Sequence, residues 1–406
     1  MKNPCNRIRV LHIANWFPNR RNPLEGNFIA AHFACFAQVT DARLVNVQVR
    51  IDTGHWLRIE RAELGPDQRA VYLLTKIRNE RVQALLTTIL LLWVLAAERA
   101  RGWDLLQVHI AWPLLSYAHV WRAIVRSPLL ISEHWSAYHF RFHLPDGAPA
   151  LERLRRPFRQ GLPVAAVSQA LLDDIRNFSG GASFPGFVLP NYVPLHGASH
   201  TRRDAPVLFS VNRWVGIKDP MPMLQGLAEA AEAGSSFRLV IGGLGPESDA
   251  MCQFVATSAL AGRTEFRGWM TGEEIAAQLA ETDAYLFSSK YETFSIACAE
   301  ALGAGVPLLG PFVPAIAEYA GDADWQRIET RDADGWRRGA IALFARMADG
   351  SFDRQAIAAR CAERFSPERL QREYNAIVGE ILSSAMPGRD KLAASADECR
   401  SGNAGK

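Results

Sequence analysis

The chain is short of cysteine. Its 406 residues hold six, at positions 5, 35, 252, 298, 361 and 399, and no two stand in a Cys-x-x-Cys pair. That spacing excludes a dense disulfide framework. It predicts reduced, unbridged thiols in a reducing compartment, the cytoplasm. The chain also lacks an excess of either charge. Its 45 Lys and Arg against 42 Asp and Glu leave +3, so broad electrostatic capture of nucleic acid is not expected, although Arg153, Arg155 and Arg156 form a local basic cluster. No apolar run reaches the roughly 20 residues of a spanning helix. The longest, Leu85 to Ala97, has thirteen and predicts a core or interfacial helix. A core helix with solvated ends is favoured. Contact of the flanking arginines at 78, 81, 99 and 101 with an anionic membrane surface is the competing reading. The opening residues MKNPCNRIRVLHIANWF are too polar for a signal peptide. No internal repeat is visible.

What the chain has is apolar content for large cores, 49%, with 21% charged residues. Its length predicts two or three domains. Short β-branched-rich runs alternate with helical spacing through the first ~190 residues. Strands are predicted at Ile8–Ile13, Leu44–Val49, Leu105–Val108, Leu129–Ser132, Val164–Val167 and Phe187–Leu189, with a helix over Phe28–Gln38. A Pro-, His- and Gly-rich stretch, Asn191–Pro206, reads as a linker. The rhythm then restarts, with strands at Val207–Val211, Phe237–Ile241, Thr264–Phe266, Ala284–Phe287 and Val306–Leu309. Helices are predicted at Pro220–Ala233, Glu247–Ala261, Glu273–Ala280, Ser295–Leu302, Trp336–Met347 and Pro367–Ser384. The expected fold is α/β, with two Rossmann-like, doubly wound parallel-sheet domains facing a cleft. The expected boundaries are 1–195 and 205–365, then a helix 366–385 packing back on the first domain and a flexible tail 386–406. Open α/β sheets bind ligands beyond the carboxyl ends of their strands, so loops at strand ends are where chemistry is expected.

The densest such segment runs from Ser288 to Pro307. A strand ends at Phe287, a loop carries Glu292, and a helix starts near Ser295 with Glu300 five residues in. A helix N-terminus presents unpaired N–H groups and a positive dipole end, a natural phosphate site. A carboxylate before it suits a hydroxylated group, and a second one further on suits a diol. The spacing alone fits equally well a helix cap at Glu292 and a solvated acid at Glu300.

Ser289, Glu292, Phe294, Glu300, Ala301, Gly305 and Pro307 together resemble the E-x7-E signature of the retaining glycosyltransferases of family GT4, which have the GT-B fold. The resemblance implies that Glu292 contacts the donor sugar and Glu300 the nucleotide ribose. Amides around Phe294, Ser295 and Ile296 would meet the diphosphate. Ser295 stands where the family usually has Gly, which narrows the approach. Ser210–Lys218 resembles the family's segment with spaced Arg and Lys. Arg213 and Lys218 would neutralise the departing diphosphate. Gly243, in Gly242-Gly243-Leu244-Gly245, resembles the next loop, and Phe266–Met270 the segment that meets the base. Gly26, after the first strand, resembles the family's glycine loop at the diphosphate and acceptor side. Helix initiation alone also accounts for it. His134, in Ile131–Tyr138, resembles the family's histidine beside the donor sugar, where it would donate to a hydroxyl or help stabilise charge. His109 is a weaker acceptor-side candidate, and Trp112, Trp135 and Tyr138 are candidates for stacking on sugars. Leu189-Pro190-Asn191 resembles a segment with a structural role. His139 and His143 stand four apart, but without an HExxH pattern no metal or other cofactor is expected.

The resemblance implies transfer of a sugar from a UDP- or GDP-type donor, with retention, to a glycan or lipid-linked acceptor, in bacterial surface polysaccharide or glycolipid synthesis. The location would be the cytoplasm or the inner face of the membrane. Two alternatives stay open: a nucleotide-sugar epimerase or phosphorylase of the same fold, and a catalytically silent sugar-nucleotide or glycan binder.

Overall fold

A computed structural model of the chain describes residues 7–19, 22, 25–117, 119–120, 125, 127–145, 147–201 and 204–385. The expected tail 386–406 lies outside the described residues. Two compact units emerge, Met1–Tyr192 with Pro367–Lys406, and Val193–Ser366.

The first unit is built on eight strands: β1 (Arg9–Ala14), β2 (Asp41–Ile51), β3 (Leu57–Gly65), β4 (Gln68–Thr75), β5 (Leu105–His109), β6 (Leu129–Glu133), β7 (Val164–Ala166) and β8 (Gly186–Val188). Their order is β3-β4-β2-β1-β5-β6-β7-β8. All neighbours are parallel except the antiparallel pair β3–β4. β1 and β5 are buried along nearly their whole length, as central parallel strands covered on both faces must be. One face is closed by the C-terminal helix Pro367–Ala385, whose Tyr374, Ile377 and Val378 pack with Val10, Leu105, Leu130 and Phe36. The Tyr374 ring stacks on Phe36 at 3.9 Å between centroids, and its hydroxyl donates to Gln107 Oε1 at 2.7 Å.

The second unit has β9 (Val207–Val211), β10 (Arg238–Gly242), β11 (Thr264–Gly268), β12 (Ala284–Leu286), β13 (Leu308–Pro311) and β14 (Trp325–Ile328). Their order is β11-β10-β9-β12-β13-β14, all parallel. The core joins Leu208, Leu239, Ile241 and Leu286 of the strands to Met223, Leu224 and Leu227 of helix Pro220–Glu232 and to Trp336, Ala340 and Leu343 of helix Ala333–Ala348.

The structure departs from sequence expectation in several places. β3 and β4 were not predicted: the edge strand β3 mixes charged and apolar residues with little burial, whereas β4, parallel to β2, has a buried apolar run, Ala70–Leu74, that the sequence reading passed over. Strand β14 and helix Arg354–Phe365 were likewise missed. The helix expected to Ala261 stops at Ala256, and the strand expected from Val306 starts at Leu308. The helix containing Leu85–Ala97 runs from Glu80 to Glu98, started by Asn79, whose Oδ1 accepts from the amides of Arg81 and Val82. It is not a core helix. Leu90, Leu91 and Val94 are buried, while Leu85, Ile89 and Trp93 are exposed.

Candidate functional site

In both sheets the strand order reverses once, between β1 and β5 in the first unit and between β9 and β12 in the second. The connections on either side of such a reversal diverge, leaving an open crevice beyond the strand ends where ligands bind.

In the second unit the loops that leave β9 and β12 at this reversal are tied together. Ser210 Oγ donates to Leu286 O at 2.7 Å, and the Tyr285 hydroxyl to Val211 O at 3.0 Å. Lys290 N donates to Ile217 O at 2.9 Å and Ser288 Oγ to Lys218 O at 2.5 Å. This register sets Lys218 Nζ on Glu292 Oε1 at 2.5 Å, with 18% and 12% of the side chains exposed. Ser289 Oγ donates to the same carboxylate oxygen at 2.6 Å. Two residues 74 apart in sequence thus form a half-buried ion pair, though spacing could not have shown it.

Helix Ile296–Gly303 begins just beyond. No side chain caps it, and its cap residue, Ser295, is held in the left-handed region at φ 67, ψ 83. That conformation costs a non-glycine residue about 1–2 kcal/mol. It is held by Tyr319, whose hydroxyl donates to Phe294 O at 2.8 Å and Ser295 O at 3.1 Å. Phe294 is buried against Tyr319 and Phe365, so only its backbone can meet a ligand. Glu300 is partly buried, and burial pushes its carboxyl up to about 7. Near neutral pH it therefore populates both its protonated and ionised forms. Arg213 is exposed and makes no ion pair among the described residues. It does not join the Lys218–Glu292 contact. Gly243 has φ 89, and a side chain there would drive into the Asn212 carbonyl. The glycine is thus required by the close approach of two loops, whatever else binds there. Leu244 after β10, Phe266 within β11 and Trp269 just after it are exposed apolar side chains.

Sequence reasoning missed two supports of this site, Tyr319 and Arg331. The Arg331 guanidinium donates to Ser289 O and Phe312 O, each at 2.9 Å, bracing the loop that carries Glu292. Neither residue lies in a motif. Both act on carbonyls, which leave no pattern in the sequence.

In the first unit, a cavity of about 550 Å³ opens at the β1–β5 reversal, lined among others by Asn15, Trp16, Arg50, Trp112, Phe142 and Arg153. Asn15 Nδ2 donates to Trp112 O at 3.1 Å. Gly26 (φ 62) lies against Trp16, where a Cβ would come within 2.6 Å of the carbonyl carbon. Its required conformation is explained by packing. Of the other aromatic candidates, Tyr138 is buried and donates to Glu133 Oε1 at 2.6 Å, so its ring is closed to a sugar. Trp135 packs edge-on against Trp16 and Phe142.

Four buried histidines gather beside this cavity's floor strands: His12, His32, His109 and His134. His12 Nδ1 and His109 Nε2 are 3.1 Å apart, and His32 Nε2 donates to Pro190 O at 2.9 Å. Burial lowers His12 to about 3 and His32 to about 4, and holds His109 and His134 well below the usual range. His134 Nδ1 lies 3.0 Å from Asn191 Oδ1, while its Nε2 has no partner. An acceptor on Nδ1 places the proton there and leaves a lone pair on Nε2. With that hydrogen bond in place, Nε2 is the ring nitrogen open to a substrate hydroxyl, and burial, followed by the charge of His32, disfavours a positive charge on the ring. His139 instead pairs with Asp174 at 3.1 Å. Among the described residues no group of three or more His, Cys, Asp or Glu is placed to hold a metal.

Comparison with known proteins follows the second unit. Residues 195–338 match the family described as glycosyl transferases group 1. Over 116 residues the chain is 31% identical to a 2-deoxystreptamine glucosyltransferase of Streptomyces kanamyceticus (29% of this chain, 30% of that one). Over another 116-residue alignment it is 27% identical to the O-antigen chain mannosyltransferase B of Escherichia coli (27% of this chain, 30% of that one). The alignment thus spans under a third of either relative. Solved structures match nearly end to end. Sucrose-phosphate synthase from Thermosynechococcus elongatus has TM-score 0.71 and 15% identity, covering 93% of this chain and 100% of that one. HepE of Anabaena, in complex with UDP and glucose, has TM-score 0.67 and 14% identity, covering 92% and 100%. The lipopolysaccharide outer core galactosyltransferase WaaB has TM-score 0.66 and 13% identity, covering 92% and 99%. The fold is that of the GT-B glycosyltransferases.

Proposed function

We propose that the chain is a retaining glycosyltransferase of the GT4 type, moving a sugar from a nucleoside-diphosphate donor to an acceptor hydroxyl. One observation carries the reading: a half-buried Lys218–Glu292 pair stands at the strand-order reversal of the second unit, beside an uncapped helix N-terminus. The group 1 match over the same residues supports it.

In this mechanism Lys218 and Arg213, with the amides of Phe294, Ser295 and Ile296, neutralise the diphosphate, and the charge it gains on leaving is stabilised where it develops. Lys218 is compact and already held in place, so little reorganisation is needed. Glu292 accepts from the donor sugar's hydroxyls and Glu300 from the ribose diol. Leu244, Phe266 and Trp269 offer an apolar seat to the base. The bond from the anomeric carbon to the phosphate oxygen breaks as a bond to the acceptor oxygen forms on the same face, and the acceptor's proton passes to the departing phosphate. The neutral His134 accepts a hydrogen bond from a substrate hydroxyl through Nε2. The cavity with Trp16 and Trp112 offers aromatic faces to the acceptor glycan.

UDP- and GDP-sugars are the donors proposed. UDP is the nucleotide bound in the HepE structure. The acceptor class proposed is a glycan or lipid-linked glycan of a bacterial surface polysaccharide, as the names of the O-antigen mannosyltransferase and the outer core galactosyltransferase suggest. Fixed cations and amides carry the charge, so no metal is required, and the place of action is the cytoplasm.

The test is a screen of nucleotide sugars with and without glycan acceptors, read by mass spectrometry. The expected result is acceptor-dependent release of nucleoside diphosphate with a glycosylated product, lost in Glu292→Ala. Isomerised donor without an acceptor, sugar phosphate formed with inorganic phosphate, or binding with no turnover would each replace this reading.

A further inference from the structure

We propose that the outer side of helix Glu80–Glu98, together with the edge strand β3, rests on an anionic phospholipid surface. Thirteen large apolar side chains are exposed among the described residues, and eight of them fall between Ile51 and Trp93. Scattered exposed apolar residues need no explanation, but a concentration of this kind marks a contact surface. The helix contributes Leu85, Ile89 and Trp93, successive turns of one stripe. β3 contributes Leu57 and Ile59, and Trp56 precedes it at 71% exposed. The alternation of β3 puts Leu57, Ile59 and Arg61 on one face. The Arg61 guanidinium lies 4.8 Å from the Trp93 ring centre, so this face of β3 adjoins the helix and the two make one surface.

The charges choose the occupant. Lys76 Nζ stands 5.7 Å from the Trp56 ring centre, so each tryptophan has a cation beside it. Tryptophan at the boundary between acyl chains and headgroups, with Lys or Arg reaching the phosphates, is the side-chain arrangement an interfacial helix uses. Arg78 and Arg81 stand at one end of the stripe and Arg99 and Arg101 at the other, all exposed. Against these six cations the surface carries the exposed acids Glu63 and Glu80. A symmetric dimer through this face would set cations against cations, whereas an anionic bilayer complements them. The helix lies along the surface and does not cross it, because Leu90, Leu91, Val94 and Glu98 are buried in the unit. At 1.5 Å per residue it offers about 28 Å of contact. The inference is independent of the proposed transfer reaction.

Flotation of the full chain with phosphatidylcholine vesicles, with and without phosphatidylglycerol, tests it. The protein is expected to float only with phosphatidylglycerol and to be released by salt. Two charge removals, Arg78→Gln with Arg81→Gln, should lower the membrane partition coefficient about thirtyfold. Trp56→Ser with Ile89→Ser should abolish flotation. Both double variants should keep the wild-type far-UV circular dichroism and UDP or GDP affinity, which separates this test from that of the transfer reaction. A wild-type chain that fails to float, or flotation that survives both double variants, overturns the proposal. So does a dimer, seen by light scattering, that the apolar pair dissociates, since that outcome gives the face to a second copy.

Discussion

Replacing Lys218 by Ala separates two roles that one side chain can play. In the empty site the ammonium neutralises Glu292 at 2.5 Å, in a setting where neither side chain is more than a fifth exposed. At an effective dielectric of about 20, the bare attraction is roughly 6–7 kcal/mol. Desolvation and ordering of both groups offset most of it, leaving about 2 kcal/mol net for a half-buried pair. Lys218→Ala keeps only the Ser289 hydroxyl on the carboxylate, so the melting temperature should fall by about 4–8 °C. If the lysine also binds diphosphate, a charged hydrogen bond of about 1.5–3 kcal/mol goes with it. The Kd for UDP or GDP by titration calorimetry should then rise about 10- to 150-fold. Adding Glu292→Gln removes the uncompensated charge. The double variant should regain most of the lost stability but none of the lost affinity. Recovery of nucleotide affinity together with stability would refute the reasoning, because it would leave Lys218 as no more than the partner of Glu292.

Two further outcomes follow from the same geometry. Ser295→Gly removes about 1 kcal/mol of backbone strain and adds about 0.5–1 kcal/mol of unfolded-state entropy. Thermal stability should change little while nucleotide Kd tightens a few-fold; a marked weakening would show that the serine hydroxyl holds the ligand. The buried histidines should make stability fall with acid. Between pH 6.5 and about 4 an unfolded chain binds a proton at each imidazole and the folded chain does not, so each of His12, His32, His109 and His134 withdraws about 1 kcal/mol per pH unit. Glu133, which burial pushes up to about 7, binds its proton in the folded state first and returns a similar amount over that range. The net loss in the first unit is about 3 kcal/mol between pH 6 and pH 5. Urea unfolding followed at both values measures it, and a flat or rising stability would contradict the neutral histidine cluster.

The parts of this molecule legible in the sequence are those that repeat a physical period or a family pattern. Val207–Val211 and Leu105–Val108 read as buried strands because each is aliphatic or aromatic but for one polar residue, Ser210 in the first and Gln107 in the second. The Glu292–Glu300 segment could be read because a strand, a loop and a helix start follow one another within it. The edge strand β3 was illegible because Leu57 and Ile59 are exposed and imitate no buried pattern. Lys218 could be nominated from a resemblance, but its contact with Glu292 depends on β9 lying beside β12, a neighbour relation that only the sheet order supplies. Likewise the lowered basicity of His134 rests on its burial and on His32, against the Asn191 hydrogen bond, and the backbone at Ser295 rests on Tyr319. Sequence spacing proposes residue types; the state of charge and the direction of a hydrogen bond belong to tertiary packing.

The helix Pro367–Ala385 has a consequence for how the polypeptide is made. It completes the unit begun at the other end of the chain, stacking Tyr374 on Phe36 and reaching Gln107. A ribosome therefore finishes every residue of the inner unit, Val193–Ser366, while the outer one still lacks a wall of its core. The inner unit is free to fold during synthesis, but the outer one must wait for its final helix to clear the exit tunnel. A nonsense codon at 367 would thus leave an intact Val193–Ser366 unit attached to an unclosed partner with Val10, Phe36 and Leu105 uncovered, a product that proteases would recognise by its exposed apolar face.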